Sequence, residues 1–201
     1  MKSLLMILLV SVKFTAGSPE SDHYCGLIQD YAKSHYPRTN FRQFVFVSIK
    51  HQQLFYIEEG KAKLVFSVST AKKGFGFTYN SEQTPTGLHC IKGCIGNATP
   101  SGGVIDKNGF TGKKAEIVSE AISTGKDIIT TRAYRLDGME NGKNKGGKVD
   151  SYSRDIMLHG THEEGLIGKP ASHGCIRMRN EDILMLEPLL KDGLPVLILH
   201  Y

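Results

Sequence analysis

The chain has 201 residues, 22 of them glycine and none tryptophan, and a formal charge of +5. That length suits one well-buried domain and crowds out a second, while the glycine content and the scarcity of long helical runs argue against a helical bundle. The mild charge, without clustered Lys/Arg on a recognisable fold, gives no reason to expect a nucleic-acid partner.

Residues 1–17 carry the marks of an export signal. Lys2 supplies charge, residues 3–12 an apolar run, and Thr15-Ala16-Gly17 the small residues of a cleavage site. The run falls short of the roughly 20 residues a spanning helix needs. The expectation is an exported protein of the periplasm or cell-wall space, with no membrane span after cleavage behind Gly17. Loss of Lys2 and Lys13 lowers the charge by 2, to +3.

Next comes a helical segment within residues 18–43. Ser21 is positioned to cap a helix over 22–34, with Tyr24, Leu27, Ile28 and Tyr31 on one face and Pro37 beyond its end. The main domain then occupies residues 44–201. Strands are expected over 44–50, 53–58 and 61–69, an antiparallel meander whose alternation implies one face against a core. A Gly/Ser/Thr-rich stretch over 70–87 closes on Thr84-Pro85-Thr86-Gly87 and leads into a strand at Leu88 and Cys90. Residues 93–112 read as turn and loop. Residues 114–123 have helical spacing, 128–136 a strand, and Lys143, Lys145 and Lys148 lie in a solvated glycine-rich loop. A strand over 154–159 delivers His159. Near the C-terminus, Asn180 is positioned to cap a helix with Ile183, Leu186, Leu189 and Leu190 inward; Gly193 stops it, and 195–199 is a last buried strand.

Four cysteines are present: Cys25, Cys90, Cys94 and Cys175. Export permits disulfides. If Cys175 is a working thiol, at most one bridge forms among the others, Cys90–Cys94 or Cys25 with either. Zinc accepts His and Cys ligands, and His159-x-x-His162 with His173 and Cys175 invites that reading. No second pair with ligand spacing supports it, so no metal and no cofactor are expected.

The chemistry concentrates in IMLHGTHEEGLIGKPASHGCIRMR, residues 156–179. A thiol attacks carbonyls as a thiolate, and a nearby imidazole can take its proton and return it to a leaving amine. His173 is two residues from Cys175, so its ring tends to point away. His159, on an adjacent strand, can approach across space and is the expected base and acid. Backbone N–H groups at His173, Gly174 and Cys175 could converge as an oxyanion hole.

These residues resemble the signature of the L,D-transpeptidase catalytic domain, the YkuD-type family: His159-Gly160-Thr161, then Ser172-His173-Gly174-Cys175-Ile176-Arg177-Met178. Gln53-Leu54, Thr84-Pro85-Thr86-Gly87 and Gly193-Leu194-Pro195-Val196 extend the similarity over about residues 44–201. The resemblance implies a mainly β, sandwich-like mixed sheet with a few short helices. It also implies action on peptidoglycan stem peptides. Cys175 would attack the carbonyl joining the third, L-centred residue to D-alanine, His159 would protonate the leaving group, and an amine would resolve the thioester as a 3→3 cross-link or a protein attachment. His173, Gly174, Ser172 and Arg177 would serve the oxyanion and substrate. Water as acceptor would make the protein an L,D-carboxypeptidase or related amidase. A non-catalytic wall-binding module is the remaining alternative, against which the intact Cys-His pair argues.

Overall fold

The computed structural model describes residues 13–201; the expected signal run over 3–12 lies outside the described residues. Helix α1 (Pro19–His35) precedes β1 (Gln43–Ser48), β2 (Gln53–Glu58), β3 (Lys61–Ser67), β4 (Gly87–Ile95), β5 (Gly103–Asp106), β6 (Gly109–Lys114), β7 (Ile129–Gly138), β8 (Met157–Thr161) and β9 (Ile176–Met178). Helix α2 (Asn180–Leu186) and β10 (Pro195–Leu199) complete the chain. The fold is mainly β, and the sheet is mixed. The order β3-β2-β1-β10-β4-β7-β5-β6 includes a parallel β1–β10 pair, and β8 pairs with β7 on one side and, in parallel, with β9 on the other.

The chain that continues β3 then meets β9. Ser69 N–H donates to Arg177 O and Arg177 N–H to Ser69 O, each at 2.9 Å. Beyond it, Ala71 bridges to Ser172. The segment carrying Cys175 is therefore held between β8 and residues 69–72.

The first strands are buried on both faces, not on one. Val45, Val47, Leu54 and Tyr56 join Leu158, Ile176, Ile183 and Leu186 in one core cluster. The alternate residues Phe44, Phe46, Phe55 and Ile57 join Cys25, Ile28 and Ala32 of α1 in another. Helix α1 covers the face that the meander reading left to solvent. The cap of α1 is Ser18, whose Oγ accepts from Ser21 N–H at 3.1 Å. Its inward face runs through Cys25 and Ala32, which leaves Leu27 56% exposed. Ahead of the helix, the Phe14 ring stacks on Tyr24 at 4.6 Å and its backbone exchanges hydrogen bonds with the Gln53 amide. The expected cleavage point after Gly17 lies C-terminal to this contact.

Three other expectations are corrected. Residues 114–123 form no helix: Val118 N–H donates to His162 O and Gly165 N–H to Val118 O, while Ile117 and Ile122 stay exposed. With no apolar face to bury, the helical spacing has nothing to pack against, and tertiary hydrogen bonds take the backbone instead. Residues 103–114 form the β5–β6 hairpin, whose turn is secured by Asn108 N–H donating to Asp106 Oδ1 at 2.7 Å. Asn180 does not cap α2; its side chain is buried, donating to Thr161 O and accepting from Thr130 Oγ1, while Glu164 Oε1 accepts the Asn180 N–H. All four cysteines are free thiols.

His89 of β4 is fully buried between Gly87 O and Ser151 Oγ (3.1 and 2.9 Å) and ties the sheet to the loop after β7. Burial pushes its pKa down to about 4, against the opposing pull of the Gly87 carbonyl. In the unfolded chain a histidine binds its proton near pH 6.5. The unfolded state therefore binds more protons between these values, and stability present above pH 6.5 is lost as pH falls toward 4, by about 3 kcal/mol. Denaturant unfolding at several pH values should show this loss, and His89→Gln should flatten it.

Candidate active site

Strand β8, paired with β7 on one side and β9 on the other, carries His159 at its centre, and the turn before β9 presents Cys175. The ladder pairs Leu158 with Ile176 and His159 with Arg177. Cys175 lies one residue before this ladder begins. Met157 N–H donates to its Sγ at 3.4 Å, and the thiol in turn donates to Asp155 O at 3.3 Å. Cys175 and His159 are thus diagonal neighbours on adjacent paired strands, with backbones roughly 7–8 Å apart. Asp155 has φ 54, unusual for a residue with a side chain.

His159 is 1% exposed, and its Nδ1 lies 2.7 Å from Gly160 O. A carbonyl only accepts, so Nδ1 carries the proton and Nε2 is left as the basic nitrogen. Burial lowers the His159 pKa, outweighing the attraction of Asp127. Burial also pushes the Cys175 thiol up to about 12, opposed by the Met157 N–H and reinforced by Asp127. Both groups rest neutral, a thiol on one strand and an imidazole on the next. Site-resolved alkylation of Cys175 by iodoacetamide should accordingly keep accelerating from pH 7 to pH 10, where a preformed thiolate would already have levelled off.

The turn around Cys175 is bonded throughout. Ser172 Oγ donates to Cys175 O at 2.6 Å and accepts from Gly174 N–H at 3.2 Å. Thr84 Oγ1 donates to Gly174 O at 2.9 Å and accepts from Ala71 N–H at 3.0 Å. Gly174 has φ 136, and a Cβ there would meet Ile156 Cδ1 at 3.1 Å, so only glycine fits without strain. Because the Gly174 N–H turns to Ser172, converging oxyanion donors would come from its neighbours His173 and Cys175.

His173 is exposed, its Nδ1 2.8 Å from Asp127 Oδ2. Arg177 is 1% exposed, with Nη1 on Glu163 at 2.9 Å and Nη2 on Asp127 at 2.7 Å. The substrate-binding role expected of Arg177 finds no accessible surface; its fork is occupied by two carboxylates. Burial opposes ionisation of Asp127, but Arg177, His159 and His173 outweigh it and hold the pKa at about 2. His162, the other half of His159-x-x-His162, turns its Nε2 to Thr124 Oγ1 at 2.9 Å.

A model of the L,D-transpeptidase catalytic domain family matches residues 42–198. The chain belongs to this family. Among its relatives are the YkuD proteins of Bacillus subtilis and Bacillus licheniformis, 32% and 33% identical over 82 residues, a match covering 38% of this chain and 50% of each relative. The chain spans about half the length of these curated relatives. Similar solved structures include an L,D-transpeptidase from Xylanimonas cellulosilytica, 18% identical at a TM-score of 0.48, covering 86% of this chain and 69% of that one. L,D-transpeptidase 3 from Mycobacterium tuberculosis, in complex with a faropenem-derived adduct, is 15% identical at a TM-score of 0.48, covering 78% and 60%.

Within this L,D-transpeptidase domain, reasoning from sequence missed Asp127 as the hub joining His173, Arg177 and the field at His159. It also left Glu163 without a role, though Glu163 anchors Arg177 and accepts from Thr124 Oγ1 at 2.8 Å. Neither residue stands out by spacing, because each meets its partner across the fold. Thr84 carried a signal, since it opens the Thr-Pro-Thr-Gly turn that abuts the Gly174–Cys175 peptide.

Proposed function

We propose that this protein is an exported, cysteine-dependent L,D-transpeptidase acting on peptidoglycan stem peptides. The observation that supports the reading is the placement of a half-buried Cys175 thiol, suspended between Met157 N–H and Asp155 O, one diagonal step across the β8–β9 ladder from a neutral His159 whose Nδ1 is committed to Gly160 O. Family membership supports the same chemistry.

His159 Nε2 takes the thiol proton as Sγ attacks the carbonyl carbon between the third, L-centred residue and D-alanine. The carbonyl oxygen becomes an oxyanion facing the backbone amides of His173 and Cys175. As the intermediate collapses, the C–N bond breaks and the imidazolium gives its proton to the departing D-alanine nitrogen. A thioester remains on Cys175. An amine of a neighbouring stem then attacks it, His159 removes the amine proton, and the restored thiol leaves a 3→3 cross-link. Ser172 holds the nucleophile's carbonyl, and Gly174 allows the turn. The domain division supporting this reading is a signal over 1–17, a helical segment over 18–43 and the catalytic domain over 44–201.

Incubation with disaccharide-tetrapeptide and mass spectrometry of the products tests the reading. A dimer with loss of D-alanine is the expected result. Tripeptide alone would make water the acceptor and the protein an L,D-carboxypeptidase. Unchanged substrate would overturn both.

A further inference from the structure

A small polar cavity of about 180 Å³ adjoins the nucleophile, lined by Tyr79, Glu82, Arg154, Asp155, Ile156 and His173 among others. It shares Asp155 with the thiol, whose S–H donates to the Asp155 carbonyl. The charges in this cavity do not cancel. Glu82 is paired with Lys73 at 2.8 Å, and Asp155 with Arg135. Arg154 has no carboxylate partner among the described residues. Its Nη1 donates to Gly76 O and Phe77 O (3.3 and 3.0 Å), and its Nη2 to Ser81 Oγ and Gln83 O (3.3 and 2.7 Å). Neutral acceptors therefore clamp the guanidinium in place without neutralising it. Its Nε–H is the donor left over, on a half-buried side chain.

The clamp also ties Arg154 to the nucleophile. Gln83, which accepts from Nη2, lies against Gly174, and the next residue, Thr84, donates to Gly174 O. A fixed, uncompensated cation in a polar cavity beside a nucleophile is a site for an anion that arrives with the substrate.

We infer that Arg154 binds a carboxylate of the stem peptide in the cavity lined by Tyr79, Glu82 and His173, and so selects donors carrying a free acid beside the scissile bond. This rests on the proposed reaction and specifies its substrate. Two carboxylates have that chemistry: the terminal one of the leaving D-alanine and, in a stem whose third residue bears a side-chain acid, that side-chain carboxylate. The cavity accommodates a group about the size of one small residue.

The test is equilibrium binding to Cys175→Ala protein, which needs no turnover. Three ligands are compared: the tetrapeptide acid, its D-alanine carboxamide, and the analogue amidated on the third residue's side chain. One amide should bind about tenfold more weakly than the acid, and which one identifies the carboxylate. The gap should close in Arg154→Gln and persist in Arg154→Lys. Because Arg154→Gln frees the 76–83 loop, the Arg154 Nε–H resonance is followed as well in the otherwise unchanged protein. It should shift with the acid and not with the discriminated amide. Equal binding of acid and both amides, a gap unchanged in Arg154→Gln, or an unmoved Nε–H signal would overturn the inference. Turnover of all three peptides at one rate by Cys175 enzyme would do so too, while leaving the proposed reaction standing.

Discussion

Cys175→Ala is expected to lose turnover of stem tetrapeptide by at least about 10⁴-fold while folding normally. Without sulfur there is no nucleophile, and what remains is the contribution of positioning and oxyanion donors. The substitution is mild for the fold because the thiol's two hydrogen bonds, to Met157 N–H and Asp155 O, are weak sulfur contacts at 3.4 and 3.3 Å. The turn itself is held by Ser172, Thr84 and Gly174, which stay in place. Peptide turnover and thermal unfolding measured side by side check both halves. Retained activity would transfer the chemistry elsewhere.

Arg177→Met should have the largest effect on stability. Arg177 and Glu163 are each 1% exposed, so removing the guanidinium strands a buried carboxylate. Breaking such a pair on one side costs about 3–5 kcal/mol, a fall in Tm of roughly 10 °C for a domain of this size. Asp127, whose side chain is 27% exposed, loses its second partner but keeps His173. The double variant Arg177→Met/Glu163→Gln should recover part of the loss, because the stranded charge is gone. A single variant as stable as the wild type would show that the pair contributes nothing. Activity should fall beyond what stability explains, since the Asp127 carboxylate, whose charge acts on His159, would lose its Arg177 anchor.

The site was legible in sequence where its parts are contiguous. Ser172 to Arg177 and His159-Gly160 present the thiol, the imidazole and the permissive glycine within 19 residues, and their types alone point to acyl transfer. What the sequence hid are the long-range pairings. Asp127 meets His173 46 residues away, and Arg154 is clamped by carbonyls 71–78 residues earlier. No periodicity records either distance. The same limit applied to the fold. Strands β2 and β10 follow from their own apolar runs, yet burial on both faces required knowing that α1 returns across the sheet. Residues 114–123 have helical spacing without a surface to cover. The β5–β6 hairpin did carry a signal, the Asn108-Gly109 pair, a strong hairpin dipeptide, within a stretch otherwise rich in loop residues.

The account stands or falls on a bond between Cys175 and the substrate's acyl group. Enzyme mixed with disaccharide-tetrapeptide whose free amine is acetylated, so that no amine acceptor is present, and quenched rapidly in acid should show by intact mass one added tripeptide acyl group. Peptide mapping should place it on Cys175, and Cys175→Ala should show none. D-Alanine released with no adduct on Cys175, or an adduct carried by Cys25, Cys90 or Cys94, would contradict it.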